Sequence, residues 1–76
     1  MSRPEVMRTS VASSLLSSIG YSVDATLELE LEFRSGAIYR YFAVPQAVFE
    51  GLIVAESKGA YFNRYVRSRF RYQRLA

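Results

Sequence analysis

The sequence contains no cysteine, no histidine and no tryptophan. Without cysteine no disulfide can staple the chain, and without cysteine or histidine the usual zinc sites cannot form. The same two absences remove a thiolate nucleophile and an imidazole base working near neutral pH. Long apolar runs are also missing. No stretch approaches the ~20 apolar residues of a membrane helix, and the start, MSRPEVMRTSVASSLLSSIG, has no apolar run of signal-peptide length. The expectation is a soluble cytoplasmic protein that is not an enzyme, uses no metal or other cofactor, and has no membrane partner.

What is present is apolar, aromatic and unevenly charged. Of 76 residues 50% are hydrophobic, and phenylalanine and tyrosine make up 14%, which is too apolar for a disordered chain. A chain of this length forms one small domain that buries only about 60% of its unfolded surface, so the aromatic rings must carry much of the burial. Residues 1–57 hold four basic residues and all seven acids, a net charge of −3; residues 58–76 hold six basic residues and no acid, a net charge of +6. Such segregation points to an anionic partner.

Along the chain, residues 1–10 are polar and expected to be flexible, with a single domain over 11–76. Ser13 and Ser14 suit a turn, because serine hydroxyls bond to nearby backbone groups. Ile19, Tyr21 and Val23 alternate as a short strand. In TLELELEF (26–33) Leu27, Leu29, Leu31 and Phe33 alternate with Glu28, Glu30 and Glu32, so leucines line one face of a half-buried antiparallel strand and glutamates the solvated other. A hairpin follows. A two-residue loop would pair Leu31 with Arg40; a three-residue loop with Gly36 as a bulge residue pairs Leu31 with Tyr39, Leu29 with Tyr41 and Glu30 with Arg40. The second register is favoured, because it puts tyrosines on the leucine face and opposite charges side by side.

Pro45 suits the first turn of a helix over 45–57, with Val48, Phe49, Leu52 and Ala55 as its apolar stripe and Ile53 widening it. Gly51 weakens that helix unless it allows a close approach to the sheet. Lys58-Gly59 reads as a stop, with Gly59 in the left-handed cap position. A second helix is expected over 60–68, with Tyr61, Phe62, Tyr65 and Val66 inward and Arg64 and Arg67 outward. RFRYQRL (69–75) then alternates as a short final strand. The fold class is therefore α+β: an antiparallel meander of about three strands packed by a helix, then a second short helix and a short C-terminal strand.

The order of several short motifs is informative. Val11, Ser13 and Ser14 precede Ile19-Gly20-Tyr21 and the LELEF run of Leu29–Phe33. Gly36, Tyr39 and Tyr41, Val44-Pro45, and Ala55, Ser57, Gly59, Phe62 and Asn63 follow, and an arginine and aromatic tail closes the chain. From about residue 11 to 75 this pattern resembles the KTSC domain, a short module named for its occurrence at the C-terminus of some lysyl-tRNA synthetases and found also in free-standing bacterial and phage proteins. The resemblance implies an α+β domain with no assigned enzymatic activity, for which RNA binding has been suggested. It makes Tyr39, Tyr41, Ser57, Gly59, Phe62 and Asn63 family motif residues, expected to be structural. Members often have proline between the last two aromatics, where this chain has Arg71.

The basic tail is the foremost candidate site. Arginine is permanently charged and its planar fork matches phosphate oxygens. Arg64, Arg67, Arg69, Arg71 and Arg74, with Lys58 assisting, could track a phosphate backbone while Tyr72 stacks on a base. The bland alternative is a solvated face whose arginines balance Glu28, Glu30, Glu32, Glu50 and Glu56. Tyr39 and Tyr41 could stack bases from an open sheet, but the preferred register puts them in the core. Three glutamates ~7 Å apart along a strand are too widely spaced to share a divalent cation without help from another element. Ser13, Ser14 and Ser57 lack the base a serine nucleophile needs. The expected function is thus noncatalytic binding of RNA, tRNA or another polyanion. The alternative is a protein-interaction module without nucleic-acid binding.

Overall fold

A computed structural model describes residues 7–22 and 27–76; the first six residues, Val23 and Thr26 of the expected strands lie outside the described residues. Five antiparallel strands form one sheet in sequential order: β1 (Arg8–Ser10), β2 (Leu16–Ser22), β3 (Glu28–Phe33), β4 (Ile38–Tyr41) and β5 (Tyr72–Arg74). Between β4 and β5 come α1 (Gln46–Val54), α2 (Lys58–Tyr61) and a π-helical turn (Phe62–Val66). The α+β class stands, with five strands rather than three. β1 is the strand that was not expected, whereas β5 falls within the expected C-terminal strand; both are at the sheet edges, only three residues long and exposed throughout. Both are held by backbone pairing; β5 lies within the alternating 69–75 segment, while β1 carries no hydrophobic alternation to read. Arg8–Ser10 therefore belongs to the sheet, although the polar start gave no sign of it.

The favoured hairpin register is the observed one. Leu29 faces Tyr41, Glu30 faces Arg40 and Leu31 faces Tyr39. Gly36 has φ +98°, a value that glycine adopts without the steric cost a Cβ brings, and its N–H donates to the Phe33 carbonyl at 2.9 Å. Ser13 closes the turn before β2, its hydroxyl accepting from the Leu15 and Leu16 amides at 3.1 Å each.

Strand alternation sends Leu29 and Leu31 to one face, with Leu16 and Ile19 of β2 and Tyr41 of β4. Leu52 of α1 and Phe62 and Val66 of the π turn complete this core. Tyr21 stacks on Phe49 with centroids 4.7 Å apart and rings 8° from parallel, and its hydroxyl donates to the Val44 carbonyl. The Tyr21 pKa is raised, first by burial and then by the Glu50 carboxylate.

The opposite face corrects the expectation of solvated glutamates. Glu28 is 1% and Glu30 4% exposed. Arg40 lies between them, 3.0 Å from Glu30 and 3.5 Å from Glu28, and Arg8 pairs with Glu30 from β1. Arg8 also donates to Ser18 at 3.1 Å, and Ser18 to Glu32 at 2.9 Å. The long arginine stems lie over the sheet and exclude water from the carboxylates.

The helical segment differs from expectation in five places. α1 ends at Val54, because Ala55 turns extended (φ −64°, ψ 135°) and Ser57 caps a new helix by accepting from the Ala60 amide at 3.1 Å. Gly59 consequently lies inside α2 and not in a left-handed stop. Ile53 is exposed, because α1 rests on the core mainly through Leu52. Gly51 permits a close approach, but to Tyr61 rather than to the sheet: a Cβ there would lie 2.1 Å from the Tyr61 hydroxyl. The wide π turn, closed by Arg67 N–H to the Phe62 carbonyl at 2.8 Å, buries Phe62 and Val66 and leaves Tyr65 46% exposed instead of inward.

Candidate functional site

β5 pairs with β4 so that Tyr72 is opposite Tyr41 and Arg74 opposite Tyr39. Directly opposed residues project to the same face. The strand that carries the basic tail therefore brings Tyr72 beside the Tyr39 and Tyr41 motif. The Tyr72 ring is 5.4 Å from Tyr39 and 5.7 Å from Tyr41, tilted by 36° and 42°, while Tyr39 and Tyr41 are 6.3 Å apart and nearly parallel. Phe62 meets Phe33 and Tyr41 edge-on at 5.3 and 6.0 Å. Together these rings line a groove of about 500 Å³ bounded by Ser35 of the hairpin on one side and Arg67 and Ser68 on the other.

Tyr41 and Phe62 are buried and form the floor, whereas Tyr72 is 60% exposed and forms an open wall. Burial pushes the Tyr41 pKa up to about 12, with Tyr39 and Tyr72 adding to the rise and the Arg67 guanidinium opposing it. The Tyr41 hydroxyl is thus a proton donor at any physiological pH. Arg67 follows the π turn, and Ser68 next to it has φ +63°. The Arg67 guanidinium is 3.4 Å from the Asn63 side-chain oxygen. The Arg74 guanidinium is 5.9 Å from the Tyr39 ring centroid, within cation–π range.

The structure distributes the other sequence candidates differently. Lys58 donates to the Ile53 and Ala55 carbonyls at 3.0 and 3.2 Å, satisfying the end of α1. Arg64 is over the exposed Tyr65 ring at 5.5 Å, outside the groove. Arg69 and Arg71 are exposed on the segment leading into β5, which is tied to β4 by the Phe42 amide and Arg71 carbonyl at 2.9 Å. Ser57 caps α2, Phe62 is in the core, and Gly59 packs its Cα side toward Leu15. Among the described residues, none of the five tail arginines pairs with an aspartate or glutamate side chain; Arg8 and Arg40 serve the strand glutamates instead. The balancing role expected of the tail thus falls to two arginines from β1 and β4.

Phe33 was not singled out from the sequence, although its place on the leucine alternation signals its face. Ser68 gave no signal. A second groove of about 560 Å³ on the opposite face is lined by Arg8, Ser18, Glu30, Glu32 and Arg40, whose polar groups are largely engaged with one another. No group of three His, Cys, Asp or Glu side chains among the described residues is placed to hold a metal ion, and no helix among them is long and apolar enough to cross a membrane.

A single sheet with helices on one face and an aromatic groove at its edge defines a small α+β module. The KTSC domain family model matches residues 12–70. The chain belongs to the KTSC domain family, as its motif order led us to expect. It is 44% identical over 69 residues to an uncharacterized protein of Stutzerimonas stutzeri, covering 90% of this chain and 96% of that one. It is 49% identical over 51 residues to a lysine–tRNA ligase of Nostoc, but that match covers 67% of this chain and only 9% of the ligase. A crystal structure of a KTSC domain protein from Yersinia pestis superimposes with a TM-score of 0.89 at 32% identity, covering 95% of this chain and all of that one.

Proposed function

We propose that this protein is a noncatalytic, cytoplasmic module that binds RNA, tRNA included, or a related polyanion. The observation that carries this reading is the joining of Tyr72 to Tyr39 and Tyr41 in one groove that Arg67 also lines, with Arg74 over the Tyr39 ring. Aromatic faces stack on any base, and arginine forks bind phosphate bidentately. Among the described residues the tail arginines pair with no aspartate or glutamate side chain, and Arg74 donates only to the Ala76 main-chain oxygen at 2.9 Å, which leaves much of their charge available to a ligand. The likeness to part of a lysine–tRNA ligase adds support, since that relative by its name acts on tRNA.

Titration of labelled tRNA at low and at high salt tests the reading. Neutralising even a few phosphates makes affinity fall about tenfold or more between 50 and 200 mM salt, and the Arg67→Ala, Arg74→Ala double variant should bind more weakly and with a shallower salt slope. Binding no tighter than that of an unrelated basic protein such as lysozyme overturns it. A protein partner is the competing reading, favoured by Ile53 and Val54, which stand exposed at the end of α1. A single stoichiometric protein partner retained after nuclease treatment would support that reading instead.

A further inference from the structure

We infer that the tyrosine groove takes one unpaired nucleotide, its base against Tyr72 and its phosphate held by Arg67 in the groove with Arg74 beside it over Tyr39, so that the module selects single-stranded over duplex RNA. This rests on the RNA reading above and adds a choice that charge alone would not make.

The dimensions come first. A groove of about 500 Å³ falls in the roughly 300–1,000 Å³ range of sites for small molecules. It is bounded by the hairpin turn at Ser35 and the bend at Ser68, so an intact RNA helix cannot enter it. In a duplex the bases are stacked inside, and the A-form major groove is too deep and narrow for side chains to reach them. An unpaired base has no such barrier.

The chemistry of the lining agrees. Tyr72 is the exposed ring, and its tilt of 36° and 42° to Tyr39 and Tyr41 leaves an aromatic face not consumed by parallel stacking on its neighbours. The protonated Tyr41 hydroxyl on the floor can donate to a base carbonyl or a phosphate oxygen. Arg67, which caps the π turn, lines the groove, and Arg74 of β5 lies over Tyr39 beside it, which suits a phosphate held beside the base. Binding by charge alone would favour the duplex, whose phosphates are more densely spaced.

The test uses the intact protein, one short labelled RNA strand, and the same strand annealed to its complement, followed by fluorescence anisotropy. The wild type should bind the single strand more tightly than the duplex. Tyr72→Ala should weaken single-strand binding by about fivefold or more, the scale of one lost base–aromatic stack, and leave duplex binding unchanged. Tyr72→Leu keeps an apolar side chain on the strand without an aromatic face and should lose the same amount. Equal or tighter duplex binding, or single-strand affinity unaffected by both Tyr72 variants, overturns the inference while leaving RNA binding intact. Failure of the wild type to bind either form above the basic control removes both readings.

Discussion

Tyr41 shows how one side chain links packing to pH. It is on the groove floor with its pKa raised to about 12, mainly by burial. Above pH 10 the unfolded chain releases this proton while the folded chain keeps it, so the unfolded state binds fewer protons and stability falls as pH rises. The stabilisation is complete below about pH 10 and is lost as the pH rises through about 12. Urea melts at pH 9 and pH 11.5 should show a loss of order 1–2 kcal/mol, and Tyr41→Phe should reduce the loss. Arg40 acts through charge. Replacing it with methionine removes the cation between Glu28 and Glu30, whose side chains are 1% and 6% exposed. Glu30 keeps Arg8, but taking the Arg40 cation away from two buried carboxylates costs roughly 3 kcal/mol, a large share of the ~5–15 kcal/mol that holds a domain folded. The midpoint of chemical denaturation measures it.

At the scale of elements, the close approach of α1 to α2 depends on Gly51. By helix propensity Gly51→Ala should stabilise α1 by up to ~1 kcal/mol. The added Cβ would instead press on the Tyr61 ring, whose hydroxyl would be 2.1 Å away, and Tyr61 is itself packed against Tyr65 at 4.7 Å. The substitution should therefore lower the melting temperature in the wild type and raise it in a Tyr61→Ala background, a reversal that a double-mutant cycle reads directly. The two helices also show where sequence reasoning succeeds and where it stops. The β3–β4 register was legible because loop length, glycine conformation, charge pairing and aromatic placement all act between residues close in sequence. The end of α1 was not. Ser57 as a cap and Gly59 as a stop are adjacent signals that compete, and the Lys58 contacts with the Ile53 and Ala55 carbonyls joined the cap.

At the scale of the whole molecule, the legible part was the middle and the hidden part the two margins. Burial of Glu30 requires Arg8, which is 22 residues earlier, and the groove requires Tyr72 to return beside Tyr41. The Arg8 strand leaves no periodic trace, because it is exposed and held by main-chain bonds; the alternation of residues 69–75 points to a final strand but not to the strand it pairs with. The candidate site was thus legible as two separate motifs, the Tyr39 and Tyr41 pair and the basic tail, and the sheet joined them. Stability should follow the same division. Amide hydrogen exchange should be slowest in β3, the central strand whose two partners are themselves interior, while β1 and β5 exchange through local openings well below the global unfolding free energy. Uniform protection across all five strands would count against this picture.

The exposed rim at β5 has a consequence for the protein as a particle in solution. An open strand is a template for further pairing, and charged side chains are the usual means of blocking it. Here Arg69, Arg71 and Arg74 surround a three-residue edge, so two copies approaching rim to rim meet mutual repulsion. A polyanion bound there, as proposed above, would cancel the repulsion as it occupied the groove. On that proposal colloidal stability and ligand occupancy would draw on the same charges, and a complex at charge balance would have the least protection against coalescence.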